Sequence, residues 1–227
     1  MTPVFLHGAG FTGEAFEAQL DAFPQAHAPN LPGHLSDGAP ESIAEFAEFV
    51  EQYLSAHRVH DAVLCGHSMG GAIALETALR GRAQLRGVVL LDSGARLRVA
   101  PAIVQGLSDD FDRGVAHLVE FFFSNPTNER TAWAAGQMRQ VGKMQTVRDF
   151  QACNAFDALE RLGSVSVPLL ALTGEADRLT PPKFAEALAS RVPGAQARMI
   201  AGAGHFAMVE RPDETNAAIR TFLSGLA

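Results

Sequence analysis

The sequence predicts an α/β domain built on a mostly parallel six-stranded sheet, interrupted by a helical insertion. Two observations carry that prediction: short aliphatic runs alternate with longer segments of three- and four-residue apolar spacing, and the same alternation resumes after residue 167. A third bounds it. The 227 residues, 47% hydrophobic and 19% charged, fit one large domain, or one core with an insertion, able to bury a substantial core without disulfide or metal.

In chain order, the first strand is predicted at Pro3 to His7 and a short second one around Ala26 to Ala28. Ser42 followed by Glu45 reads as a capping box opening a helix to about His57, with Ile43, Phe46, Val50 and Leu54 forming its buried face. A third strand at Asp61 to Cys65 leads into a helix at Met69 to Arg80, and a fourth follows at Leu85 to Leu91. After the insertion come strands at Pro168 to Thr173 and Gln196 to Ile200, with helices at Pro181 to Arg191 and Pro212 to Leu223, each opened by a proline suited to a first turn. Residues 1–94 and 168–227 form the expected core. Residues 95–167, which hold helix-like stretches and no convincing strand, form the expected helical insertion.

Composition excludes several classes of function. The 18 basic and 25 acidic residues leave a net charge of −7, and the basic ones are scattered, so nucleic acid is not an expected partner. Near the N-terminus the longest aliphatic stretch is Val4 to Leu6, too short for a signal peptide or a bilayer span. A cytoplasmic protein that does not engage membranes is the expectation. Cys65 and Cys153 match no metal-ligand spacing and read as reduced, packed thiols, with no metal and no cofactor implied.

The chemistry concentrates at Gly66-His67-Ser68-Met69-Gly70, which follows an apolar strand and precedes a helix. That is the context of a G-x-S-x-G nucleophile elbow: a sharp turn presents the serine in a strained conformation, and side chains two positions to either side would collide. Gly71, Ala72, Ala74 and Ala78 keep the following helix slim against the sheet. Its positive end then aims at the reacting centre.

A serine hydroxyl attacks at neutral pH only when a base takes its proton and an acid orients that base. His205, on the glycine-rich loop Gly202 to Phe206 after the last strand, is the candidate base. Among the other histidines, His27, His57, His60 and His117 are expected at the surface, His34 on a turn, and His67 pointing away from the base. Asp177, in the loop after the penultimate predicted strand, is the favoured acid and completes the order serine, acid, histidine. Asp92, at the end of the strand after the elbow helix, is its rival, and otherwise caps a strand or binds loop amides. Glu175 reads as solvated.

Attack on a carbonyl also needs two amide donors where negative charge develops. Met69 is one candidate. Ala9 is the other, with Gly10 an open alternative in the loop Leu6 to Phe11. Phe11, Phe122, Trp133 and Phe206 are the candidate substrate-binding side chains. The insertion holds Phe111, Phe121, Phe122, Phe123, Phe150, Phe156 and Trp133, which either pack small helices onto the core or roof a cleft.

On these motifs the chain resembles the α/β-hydrolase superfamily, in the small bacterial esterase-like branch that includes pimeloyl-acyl-carrier-protein methyl ester esterases. The resemblance rests on Leu6-His7-Gly8, Leu31-Pro32-Gly33-His34, Gly66 to Gly71, Gly174 to Asp177 and Gly204-His205, in that order over nearly the whole chain. It implies an acyl-serine intermediate handled by Ser68, His205 and Asp177, oxyanion donors at Ala9 and Met69, a helical lid, and hydrolysis of esters of small apolar or aromatic acyl groups. The family's two further N-terminal strands are lacking here, so six strands in the order 2-1-3-4-5-6 are expected, with Pro29 and Pro32 guarding the exposed edge. Asn30 stands where the family usually has aspartate, and Leu35 where it usually has glycine.

A serine nucleophile sets the chain apart from the dehalogenases and epoxide hydrolases of this fold. It leaves open carbon-carbon bond hydrolase, lactonase, thioesterase, perhydrolase or hydroxynitrile lyase chemistry, or a ligand receptor. Arg130, Arg139, Lys143 and Arg148 have no acidic residue between Thr131 and Val147, with Arg139 and Lys143 expected on one helix face. They form either a solvated face or a surface for an anionic acyl donor or acyl carrier protein.

Overall fold

The computed structural model describes residues 1–226. Its strands are β1 (Thr2–Leu6), β2 (Ala62–His67), β3 (Leu85–Leu91), β4 (Leu169–Gly174) and β5 (Gln196–Ile200), joined in that order into one parallel sheet. The helices are α1 (Glu17–Ala22), α2 (Ile43–Ala56) and α3 (Met69–Arg80). Between β3 and β4 follow α4 (Pro101–Asp109), α5 (Phe111–Val119), α6 (Asn128–Val141) and α7 (Lys143–Ala155). Around β5 lie α8 (Lys183–Arg191), α9 (Ala207–Glu210) and α10 (Pro212–Ser224).

The central strands are largely apolar because both faces of the sheet are covered. Alternate side chains serve two cores: Val4, Leu6, Leu64, Val88 and Leu90 pack with α2, α3 and α8, while Phe5, Val63, Cys65, Val89 and Leu91 pack with α10. The capping expectation for α2 is met in altered form. Ser42 Oγ accepts from the Glu45 amide at 3.3 Å, but the Glu45 carboxylate returns to the Glu41 amide at 2.8 Å.

The sheet has five strands, not the six expected. The segment around Ala26 to Ala28 does lie outside β1, on the predicted edge, but it makes a single parallel bridge, His27 to Val4. The His27 amide donates to the Pro3 carbonyl at 3.0 Å and the Phe5 amide to the His27 carbonyl at 2.7 Å. In a parallel ladder the next donor on the same side is residue 29, and Pro29 has no N–H, so the ladder stops. His27, expected at the surface, is half-buried and hydrogen-bonded to the Tyr53 hydroxyl at 2.9 Å. The short helices α1 and α9 were not anticipated.

β3 and β4 are direct neighbours, with Val88 opposite Leu169, yet four helices and a 3-10 turn, Leu159–Ser164, intervene between them. An antiparallel bridge between Arg96 and Asp157, backed by an ion pair of the same residues, closes the base of this excursion. Its helices are not a detached unit. Ala152, Cys153 and Phe156 join one core, and Leu107, Val115, Phe122, Phe123 and Met138 join the other.

Candidate active site

The turn from β2 into α3 holds Ser68 at φ 51°, ψ −114°, a left-handed conformation that side chains rarely adopt. Two close approaches sustain it. A Cβ at Gly66 would strike the Gly70 carbonyl, and one at Gly70 would strike the Leu6 carbonyl, so only glycine lets β1, β2 and α3 meet here. Two bonds fix the Ser68 backbone from both sides: the Ser68 amide donates to Leu91 O at 2.9 Å, and Ser93 Oγ donates to Ser68 O at 2.7 Å.

His205 Nε2 lies 3.0 Å from Ser68 Oγ, and His205 Nδ1 lies 2.9 Å from Asp177 Oδ2. Three residues separated by 109 and 28 positions thus form one hydrogen-bonded chain on loops at the C-terminal ends of β2, β4 and β5. Asp177 is held by its own turn as well. Its Oδ1 accepts the amides of Leu179 and Thr180 at 2.8 and 2.9 Å, and its Oδ2 accepts the Thr180 hydroxyl at 2.6 Å. Burial pushes the Asp177 carboxyl up, but the charge and hydrogen bond of His205 and the bonds from Thr180 outweigh it and hold the group well below the usual carboxylate range. For His205 the balance is reversed in sign: burial lowers the imidazole, while the charge and hydrogen bond of Asp177, and then Asp92, raise it above its ordinary value.

Asp92 makes no bond to the imidazole. Its Oδ1 accepts the Gly174 amide at 2.7 Å and its Oδ2 the Ala207 amide at 3.0 Å, which ties together the loops carrying Asp177 and His205. Burial, reinforced by the charge of Asp177, pushes its carboxyl up to about 7.

The loop after β1 passes directly over Ser68. A Cβ at Gly8 would stand 3.3 Å from Ser68 Cβ, and Gly8 and Ala9 line the same cleft as Ser68 and His205. Among the described residues no protein acceptor takes the Ala9 or Met69 amide, whereas the Gly10 amide donates to Asp149 Oδ2 at 2.8 Å. The Met69 amide lies at the positive, N-terminal end of α3.

Phe11, Phe122 and Phe206 line the cleft with Ile103, Leu118 and Phe150. Their rings form one cluster, with Phe11 4.7 Å and Phe122 5.1 Å from Phe206. Trp133 does not reach the cleft. It packs at a tilt against Phe11 at 5.7 Å and faces a separate groove beside Glu14 and Arg130.

Several expectations are corrected. His67 does not point away from the base: its ring lies 5.0 Å from that of His205, and its Nε2 donates to the His205 carbonyl at 2.7 Å. Burial, and then the charge of His205, lower it to about 3. His34 is not merely a turn residue, because it is fully buried with Nε2 2.7 Å from Asp149. Arg139 and Lys143 share no helix face, since the chain breaks at Gly142 between α6 and α7. Arg139 is also paired with Asp112 at 2.6 Å and Arg130 with Glu210 at 3.3 Å, so acidic partners come from outside the sequence window that lacked them. Both cysteines are buried, which pushes their thiols up, and Cys153 borders the cleft.

Sequence reasoning missed Thr180, Asp149 and Glu210. Only the first left a local signal, a hydroxyl three positions after an aspartate, as in side-chain-capped turns. Leu35, where glycine was the usual residue, has φ 60°, and its side chain is half exposed. Asn30 Oδ1 accepts the Gly13 amide at 2.9 Å.

A model of the Alpha/beta hydrolase family matches residues 4–218. Among curated proteins, a pimeloyl-[acyl-carrier protein] methyl ester esterase from Yersinia enterocolitica is 27% identical over 233 residues, spanning 92% of this chain and 88% of the relative. Among solved structures, a thermophilic esterase aligns with a TM-score of 0.89 at 29% identity, covering 99% of this chain and 90% of the other. A structure described as an N-acyl homoserine lactone degrading enzyme aligns with a TM-score of 0.85 at 28% identity, covering 98% and 93%. No helix among the described residues is long and apolar enough to cross a membrane.

Proposed function

The chain belongs to the alpha/beta hydrolase family, and from that premise we propose that it hydrolyses carboxylic esters of small apolar or aromatic acyl groups through an acyl-serine intermediate. The reading is carried by the hydrogen-bonded chain Ser68, His205 and Asp177, with links of 3.0 and 2.9 Å.

Each step follows from those positions. Ser68 Oγ attacks the ester carbonyl as His205 Nε2 takes its proton, and the carbonyl oxygen gains the negative charge. The Ala9 and Met69 amides hold that charge, each contributing about 3 kcal/mol to lowering the barrier. Collapse expels the alcohol, which leaves with the proton from His205. Water then repeats the sequence on the acyl-serine: His205 takes a proton from it, the second oxyanion forms in the same place, and the acid departs as Ser68 regains its hydrogen. Asp177 keeps the imidazole in the tautomer whose Nε2 is free to accept, and stabilises the imidazolium between steps.

The apolar lining by Phe11, Phe122, Ile103, Leu118 and Phe206 suits a short hydrocarbon or aromatic acyl group. A lactone is a cyclic ester and opens by the same two steps; the likeness to a lactone-degrading enzyme supports including such rings. Between β3 and β4, α4, α5 and α7 supply one wall of the cleft through Ile103, Leu118 and Phe150, with Phe122 from the turn after α5, and in this reading the four-helix excursion forms its lid.

The test is a panel of p-nitrophenyl esters of increasing acyl length, with Ser68→Ala alongside. Turnover of the short esters, reduced by about three to six orders of magnitude in the folded variant, is the expected result. Undiminished turnover in Ser68→Ala would remove the proposal.

A further inference from the structure

The loop after β1 supplies one of the oxyanion donors proposed above, and its tip is a turn in which the Phe11 amide donates to the Gly8 carbonyl at 3.3 Å with Gly10 at φ 72°. Further hydrogen bonds tie it to the helices between β3 and β4. The Gly10 amide donates to Asp149 Oδ2 in α7, and the Thr12 hydroxyl donates to Gln137 Oε1 in α6, both at 2.8 Å. Gln137 Nε2 in turn donates to Glu14 Oε2 at 2.8 Å.

Asp149 is the centre of this arrangement. It is fully buried, and its two oxygens accept from three groups: Oδ2 from the Gly10 amide and from His34 Nε2, and Oδ1 from Gln145 Nε2 at 2.8 Å. The other nitrogen of His34 lies 3.1 Å from the Pro32 carbonyl oxygen, and its ring packs edge-on at 4.6 Å against His7, whose Nε2 accepts the Leu31 amide at 2.9 Å. One carboxylate therefore joins the loop after β1, the turn at residues 31–34 and α7. A buried carboxylate is unfavourable unless such bonds are made, so the network resists any movement that would break them.

The consequence lies in the peptide plane. Holding the Gly10 N–H fixes the rigid plane between Ala9 and Gly10, so the preceding plane, which carries the Ala9 N–H, can turn against it only about the two backbone dihedrals of Ala9. We propose that Asp149, braced by His34, is a positioning residue: it captures the Gly10 amide so that the Ala9 amide faces the oxyanion, and it makes that donor's orientation depend on α7. It touches no reacting atom. The inference rests on the reading of Ser68 as nucleophile.

Asp149→Ala is measured with kcat expressed per fluorophosphonate-titrated serine. A fall of about ten- to a hundredfold in kcat, with KM changed less than about threefold, is the expected result. A trifluoromethyl ketone, which forms a tetrahedral adduct on the serine, should bind more weakly by a similar factor. Asp149→Asn, which retains an acceptor for the Gly10 amide, should restore most of the loss. A merely structural role would lower the titratable fraction and leave kcat per titrated serine unchanged. That outcome, or a loss lying wholly in KM, overturns the proposal.

Should Asp149→Ala fail to fold, the wild-type protein decides. By NMR the Gly10 amide should exchange slowly, and the ketone should shift the Ala9 amide resonance while Gly10 stays protected. Rapid exchange at Gly10 overturns the proposal. A protected Gly10 beside a serine that neither turns over nor takes the fluorophosphonate assigns the failure to the esterase reading; a labelled serine beside an unprotected Gly10 assigns it to Asp149.

Discussion

Asp177 meets His205 Nδ1 at 2.9 Å, while Asp92, the only other acid expected to compete for that imidazole, binds the amides of Gly174 and Ala207 instead. The two carboxylates therefore respond differently to the same change. Asp177→Asn should lower kcat by about three to four orders of magnitude with little loss of stability, because the amide favours the wrong tautomer of His205. Asp92→Asn should reduce stability by about 1–3 kcal/mol, since the asparagine N–H groups would face an amide donor, and should leave most of kcat. Steady-state kinetics beside thermal unfolding of both variants checks the division.

The pH profile follows from the sign of the shift at His205. Burial alone would lower this imidazole, but Asp177, and secondarily Asp92, raise it above the ordinary 6.5. A base must be neutral to accept a proton, so kcat/KM should rise with pH through a midpoint above about 6.5. In Asp177→Asn the raising charge is gone and burial dominates. The acid limb of the residual activity should then move to lower pH, and a limb that moves upward would contradict this electrostatic account.

Glu210 ties the loop carrying His205 to the helical excursion. Its buried carboxylate accepts the Gly204 amide at 2.5 Å, the Ser124 hydroxyl at 2.8 Å and the Ser124 amide at 3.1 Å, while Arg130 pairs with it from α6. Glu210→Ala leaves these donors without an acceptor and should cost about 2–4 kcal/mol in unfolding free energy. Glu210→Gln keeps one acceptor and should cost less. Denaturant titration of the two variants orders them.

How much of this was legible in the sequence depended on how far each feature reaches along the chain. The elbow was readable because its cause is local: Gly66 and Gly70 stand two positions either side of Ser68, and the strand and helix that flank them announce themselves by their own spacing. His205 and Asp177 were readable through their position after strands, although what holds Asp177, the Thr180 side chain, was overlooked. The second strand was over-read, because Pro29 was weighed as a guard of the exposed edge and not as the missing donor that ends the ladder. Asp149 left no trace at all. Its partners His34 and Gly10 lie 115 and 139 positions away, and a lone aspartate on a helix looks like any solvated residue until packing encloses it. The basic residues near Arg139 misled for the same reason, since Asp112 reaches them from another helix.

The central claim is that one hydroxyl in this chain is activated for attack. Treating the intact protein with a fluorophosphonate and mapping the adduct by mass spectrometry tests it most directly. The account predicts a single phosphonyl group on Ser68, formed in the wild type and not in Ser68→Ala. A wild type that stays unlabelled, or a label that settles on another residue and survives in Ser68→Ala, would contradict it.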